Sequence, residues 1–162
     1  MGANMGNLSH IDEEGRARMV DVGDKPATLR VARAGGRVRM QPETLRLIRD
    51  AGIAKGNVIE TARLAGIMAA KRTADLVPLC HPLPLDSVQI EFDYIDEKTV
   101  SIEATVRVTA KTGVEMEALT AVAVAALVVY DMCKAVDRSI QIDAVRLEEK
   151  SGGRSGHFRR QE

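Results

Sequence analysis

Tryptophan is absent from this chain, and its 162 residues include only two phenylalanines and two tyrosines. Stacking platforms for single-stranded nucleic acid are therefore scarce. The formal net charge is zero, whereas a general nucleic-acid binder carries a basic excess. Cysteine is nearly as scarce. Cys80 and Cys133 are the only two, far apart and in no Cys-x-x-Cys pair. That excludes a disulfide scaffold and a zinc ribbon, and it fits a reducing compartment. The N-terminus lacks the basic and apolar regions of a signal peptide, and Gly6 stands where a myristoylation motif needs Ser or Thr. No uncharged run reaches the ~20 residues that span a bilayer. These absences point to a cytoplasmic protein whose partner is a small molecule or another protein, with no nucleic acid and no membrane.

What is present suits one domain over residues 1–162. The hydrophobic fraction of 45% supports a sizeable core. The first fifteen residues are polar and read as loosely held, as does the Gly/Ser-rich tail from 151 to 162. Arg18 to Val22 reads as a short strand. Thr28 to Met40 reads as extended, with Gly35-Gly36 as a bend or bulge. Pro42 fits the first turn of a short helix ending at Arg49.

Asn57 with Glu60 three residues later marks a capping box at the start of a helix. Val58, Ala62, Ala65, Ala69 and Leu76 form its stripe, and Pro78 stops it. Gly66 and the alanines allow close approach to a neighbour. Val88, Ile90, Phe92 and Tyr94 alternate with Gln89, Glu91 and Asp93. After a turn at Asp96-Glu97-Lys98, Val100, Ile102, Ala104, Val106 and Val108 repeat the pattern, predicting a hairpin with one buried face. Thr112 and Glu115 form a second capping box, opening a long helix. Ile140 to Leu147 predicts a last strand. The order strand, helix, strand, strand, helix, strand predicts an α+β fold, a ferredoxin-like antiparallel sheet with helices packed on one face. The long helix is apolar nearly all round, which leaves surface for another subunit.

That helix runs uncharged from Leu119 to Val129 and then presents Asp131 and Lys134 on one face. Asp131 continues the row of Val124, Leu127 and Val128. A carboxylate at a helix C-terminus opposes the macrodipole, and burial would push it towards neutrality. Spacing alone divides evenly between a surface ion pair and an acid/base pair; the apolar stripe favours the second. Lys55-Gly56 before a capped helix suits an anion, although a solvated loop lysine is the simpler local reading. Lys150-Ser151-Gly152-Gly153 could wrap a phosphate but is not a Gly-x-x-x-x-Gly-Lys-Ser/Thr loop, and a flexible tail is its simpler reading. His81 has no companion ligands, so a structural or substrate-contacting role is favoured over metal binding. Glu115 has a bland account as a capping residue, and Glu117 as a charge in the first helical turn.

Several segments together resemble the molybdenum cofactor biosynthesis protein C family, the cyclic pyranopterin monophosphate synthases. They are Leu79-Cys80-His81-Pro82, Lys111 to Ala121, Tyr130-Asp131-Met132-Cys133-Lys134-Ala135 and Lys150 to Gly153. Ser9-His10-Ile11-Asp12, Met19-Val20-Asp21-Val22 and Ala69 to Thr73 match as well, so the resemblance runs from about Leu8 to Phe158. It implies conversion of 3′,8-cyclo-7,8-dihydroguanosine triphosphate to cyclic pyranopterin monophosphate with release of pyrophosphate. This is a lyase reaction that needs no cofactor. It implies a homohexamer, a trimer of dimers with active sites between subunits. By the same resemblance Asp131, Lys134 and Lys55 are catalytic. Leu79, Cys80, His81, Glu115, Met116, Glu117, Lys150 and Arg30 contact substrate, and no metal is bound. Arg154 stands where a lysine is usual. A different class of reading is a non-catalytic ferredoxin-like nucleotide sensor, which would bind without making product. A third is a structural assembly protein held by the apolar helix.

Overall fold

The computed structural model describes residues 10–12, 14–154 and 156–161. The expectation for residues 1–9, including Leu8 and Ser9 of the resemblance, lies outside them. The elements are β1 (Thr28–Arg39), α1 (Pro42–Arg49), α2 (Val58–Lys71), α3 (Thr73–Leu76), β2 (Ser87–Tyr94), β3 (Thr99–Ala110), α4 (Glu115–Cys133), β4 (Gln141–Ser151) and β5 (Phe158–Arg159). The sheet order is β2-β3-β1-β4-β5 with every pair antiparallel. Its first four strands have the ferredoxin-like arrangement, with β5 added at the edge.

Alternation decides which face is covered. Ala32, Ala34 and Val38 of β1 and Val100, Ile102, Ala104, Val106 and Val108 of β3 are all buried beneath the helices. The opposite face is polar, and Arg33 there bridges Glu103 at 2.9 Å and Glu149 at 3.1 Å. The Gly35-Gly36 irregularity is a break in register between β1 and β4. It also admits α4, because a Cβ on Gly36 would stand 2.5 Å from Val122 Cγ1.

α4 lies on the sheet through Ala118, Ala121, Val122, Ala125, Ala126, Val129, Met132 and Cys133, all buried. Among the described residues it is the one helix long and apolar enough to cross a membrane, yet its packing makes it the core helix. α2 packs beside it through Ala62, Gly66 and Ala69, which are buried. The outer flanks stay apolar and open, with Leu64 60%, Leu127 57% and Met68 50% exposed.

Five expectations change in detail. Residues 18–22 form no strand; instead Asp12 accepts hydrogen bonds from the Glu14 and Arg16 N–H groups and closes a local turn, with a single bridge between Ile11 and Ala17. Asn57 does cap α2 by accepting from the Glu60 N–H, but the Glu60 carboxylate turns to Arg63. The stripe also breaks at Arg72, whose N–H bonds to Ala69 O, and Leu76 falls on the exposed side of the separate turn α3. The box at Thr112 does not form: Val114 is the cap residue of α4, with no side-chain cap. The Glu115 carboxylate folds back over Gly113, where a Cβ would meet it at 2.0 Å, and pairs with Lys150. The last strand runs on to Ser151 and then pairs with β5.

Gly66 tests the α2–α4 seam. A Cβ there would lie 2.5 Å from Ile90 Cδ1 and 2.9 Å from the Ala121 carbonyl. Alanine gains about 1 kcal/mol in helix propensity, but backbone cannot step aside cheaply. Gly66→Ala is expected to lose roughly 1–3 kcal/mol by overpacking. Urea unfolding checks it, and a more stable variant would refute the close approach.

Candidate active site

A cavity of about 860 Å³ opens where the start of α4, the end of β4, the start of β1 and the 79–83 connector meet. All eight residues expected to contact substrate line it: Arg30, Leu79, Cys80, His81, Glu115, Met116, Glu117 and Lys150. Strand pairing explains the meeting. Ala32 of β1 faces Lys150 of β4, and Thr28 faces Ala110, so the loops at these strand ends share one rim.

Arg30 ties the rim together. One guanidinium nitrogen donates to Gly152 O at 3.3 Å and another to Lys111 O at 3.3 Å. Gly152 and Gly153 take φ of +98° and +72°, and the chain passes so close that a Cβ on Gly153 would sit 1.7 Å from Arg30 Nη1. Only glycine combines that φ with that approach. Lys150 and Ser151 end β4, and Gly152 and Gly153 turn the chain away from it over an arginine. Lys150 Nζ meets Glu115 Oε1 at 2.9 Å. Lys111 Nζ donates to Gly23 O at 2.6 Å, fixing the 20–25 stretch along the cavity.

Two buried polar atoms on the cavity residues, Thr28 Oγ1 and Arg30 Nε, have no hydrogen-bond partner among the described residues. Unsatisfied buried side-chain groups are rare, and two of the three among the described residues lie at this cavity wall, the third being Asp143 Oδ1. Glu117 is only 4% exposed. Burial pushes its carboxyl up to about 6, and the nearby Glu115 charge adds to the rise. Burial also raises the Cys80 thiol, helped by the Glu117 carboxylate. Glu117 is thus a group that exchanges a proton close to neutral pH. Its position in a first helical turn gave no hint of this.

Lys55, Asp131 and Lys134 come together elsewhere. Lys134 Nζ lies 2.7 Å from Asp131 Oδ1, and Lys55 Nζ is 2.8 Å from Asp131 O and 3.4 Å from its Oδ2. Joining Lys55 to the pair across 76 residues is a feature that helical spacing could not supply. The expected burial is not found: both members of the i,i+3 pair are exposed. The row Val124, Leu127, Val128, Asp131 runs along the outer flank, while the buried stripe passes through Val122, Ala125, Val129 and Met132. The hydrogen bond from Lys134, then its charge and that of Lys55, hold the Asp131 carboxyl below its ordinary range. The same bond raises Lys134. Within one chain both groups stay ionised, and the two lysines offset a carboxylate at the negative end of the helix.

The two clusters sit at opposite ends of the 19-residue α4. Glu115 and Asp131 are about 24 Å apart at 1.5 Å per residue. Basic residues given no role above also line the cavity, namely His10, Lys25, Lys111 and Arg154. Of these, Lys111 opens the Lys-Thr-Gly segment and His10 stands in the Ser-His-Ile-Asp segment, so motif membership was their available signal. Lys25 and Arg154 are loop residues whose convergence only the fold reveals.

Glu117 gives a stability test. Its folded value of about 6 exceeds the ordinary 4.5, so the folded state holds the proton more tightly. No penalty exists below about pH 4.5. As pH rises through 6 the unfolded state is favoured, to a plateau of about 2 kcal/mol. Denaturant unfolding should show Glu117→Gln gaining on the parent by about that amount between pH 4.5 and 7.5. A gap that stays constant with pH would contradict the assignment.

Residues 19–153 match the family model described as MoaC family. The chain is 60% identical over 159 residues to the cyclic pyranopterin monophosphate synthase of Thermomicrobium roseum, covering 98% of this chain and 96% of that one. It is 63% identical over 155 residues to the synthase of a Roseiflexus species, covering 95% and 98%. It is 61% identical over 153 residues to cyclic pyranopterin monophosphate synthase 1 of Mycobacterium bovis, covering 94% and 90%. On the match to the family model and on these identities over nearly the whole length, the chain belongs to the MoaC family.

Proposed function

We propose that this chain is a cyclic pyranopterin monophosphate synthase, a lyase of molybdenum cofactor biosynthesis. It converts 3′,8-cyclo-7,8-dihydroguanosine 5′-triphosphate to cyclic pyranopterin monophosphate and releases pyrophosphate. The observation that carries this reading is the cation-rimmed cavity. Seven basic side chains, His10, Lys25, Arg30, His81, Lys111, Lys150 and Arg154, line one space with the buried Glu117. A triphosphate needs such a set, and a pyrophosphate leaving group needs it again as charge develops. Leu79, Leu83 and Met116 supply apolar wall for the fused rings.

Lys55, Asp131 and Lys134 are the proposed proton-transfer group, and they are too far along α4 to reach this cavity in one chain. A second copy resolves the separation. Leu64 and Met68 of α2 and Leu127 of the neighbouring α4, one helical turn before Asp131, are exposed apolar side chains that a protein interface would cover. In the resulting assembly, a trimer of dimers in the cytoplasm, the lysine–aspartate cluster of one copy faces the cavity of the next. Water exclusion there would move the Asp131 and Lys134 values from those of an exposed pair towards the range useful for acid/base work. Substrate phosphates lie in the cationic cavity. A ribose hydroxyl is then held in line with the phosphate nearest the sugar and attacks it, its proton passes to a base of the cluster, and pyrophosphate departs.

Lys134→Ala and Asp131→Asn are each expected to lower product formation from the cyclised nucleotide by about 10²–10⁴-fold with the oligomer intact. A sharper test mixes two inactive variants, Lys134→Ala and His81→Ala, by unfolding and refolding them together. If one site is built from two copies, random pairing restores one intact site per mixed dimer, about a quarter of parental activity. No recovery would place both clusters in the same site of one chain and refute the shared arrangement.

A further inference from the structure

Helix α1 has no cap of its own, since Gln41 makes no side-chain hydrogen bond to it. Asp137, 96 residues from Gln41, instead holds the residue before the helix and a side chain of its first turn. Its Oδ2 accepts from the Gln41 N–H at 2.8 Å and from the Thr44 hydroxyl at 3.1 Å. Its Oδ1 accepts from the Ser139 N–H at 2.8 Å and the Ser139 hydroxyl at 2.6 Å. Ser139 Oγ in turn accepts from Gln41 Nε2 at 3.2 Å. Asp137 is 5% exposed. Burial alone would push its carboxyl up, but the Gln41 N–H and the Ser139 and Thr44 donors hold it below the ordinary range. A buried anion this fully satisfied has a defined geometry, and no step proposed above uses it.

Its place in the fold suggests a use. Asp137 lies three residues past Lys134, in the turn where its own N–H bonds to Cys133 O at 3.0 Å. It therefore fastens the end of α4, which carries Asp131 and Lys134, to the beginning of α1. The far end of α1 leads directly to Lys55. Little slack exists between them: Leu45, Ile48 and Ile53 are buried in the core, the Gly52 N–H bonds to Leu47 O at 2.8 Å, and the Gly56 N–H bonds to Ile53 O at 3.0 Å. Lys55 then reaches back to Asp131.

We propose that Asp137 is a positioning residue of this enzyme: by holding the start of α1 at Gln41 and Thr44 from the end of α4, it sets the placement of Lys55 against the Asp131–Lys134 pair. This rests on reading those three residues as the proton-transfer group. The constraint is a closed loop of structure, from Asp137 through α1 to Lys55 and back through Asp131. Removing the carboxylate weakens this polar joint, leaving the Gln41–Ser139 bond, and lets α1 shift along its axis while its apolar face stays in the core. A displacement of about 1 Å at a reacting group costs as much as 10²-fold in rate.

The test uses Asp137→Asn and Thr44→Val in the assembled enzyme. Asp137→Asn should lower kcat about tenfold or more with KM within about twofold. Thr44→Val, which deletes one bond and keeps the carboxylate, should lower kcat about two- to threefold and serves where the first variant does not fold. In a Lys55→Arg background the Asp137→Asn loss should shrink to less than about twofold, because both changes act on one contact. A readout independent of turnover is the ¹³C signal of reductively methylated lysines. The Lys55 titration should move in both variants while that of Lys71, on the far end of α2, stays fixed. That measurement stands even if the reaction assigned above is wrong. Unchanged kcat with a lowered Tm, or an unmoved Lys55 signal, would make Asp137 a stabilising residue only and overturn the proposal.

Discussion

The close seating of α4 is the constraint from which the rest of the architecture follows. A helix normally packs 8–10 Å from its neighbour, the distance being set by side chains at the contact. Here alanines face inward at 118, 121, 125 and 126. The neighbours are bare backbone at Gly36 and Gly66, each of which a Cβ would fill to 2.5 Å from a side-chain atom. The helix therefore sits low against both β1 and α2. A low helix brings its first turn down to the rim of the sheet, where Glu117 is buried and Glu115 reaches Lys150. The same seating fixes its rotation, and rotation decides that Asp131 and Leu127 face outward.

That rotation separates what the chain spells out from what it conceals. Strand alternation was legible because one sheet face is buried and the other wet, so period two survives at Val100 to Val108 without exception. The start of α1 at Pro42 was legible because proline restricts its own backbone locally. The exposure of Asp131 was not legible, because α4 is apolar nearly all round. Composition then gives no phase, and the row that includes Val124 and Leu127 looks as good as the one through Val122 and Val129. The Thr112 box failed for a different reason. A local motif competes with tertiary partners, and the Glu115 carboxylate is taken by Lys150 from 35 residues away. Nothing within four residues of Glu115 announces that partner.

The candidate site divides in the same way. His81, Lys150 and the Glu115–Glu117 segment were singled out because short motifs carry them, and Arg30 only by its place on an early strand. Lys25 and Arg154 were not, because a lone basic residue in a loop is ordinarily solvated. The remote joint at Asp137 had no local signal at all. Its acceptors are spent on Gln41 and Thr44, in an element that sequence reading treated as incidental to the fold. Each miss is a contact between residues far apart in sequence, which periodicity and capping rules cannot see.

The exposed state of the Asp131–Lys134 pair bears on the proposed assembly. In water an ion pair of this kind is worth little and both partners keep their charge, so an isolated chain holds a poor acid and a poor base. Covering the same pair with an apolar surface removes solvent from both groups and brings their proton affinities closer. The apolar flank at Leu64, Met68 and Leu127 lies where such a cover would rest. In this reading, association does more than gather residues. On the proposed assembly, the hydrophobic term that would drive association would also offset the desolvation of Asp131 and Lys134.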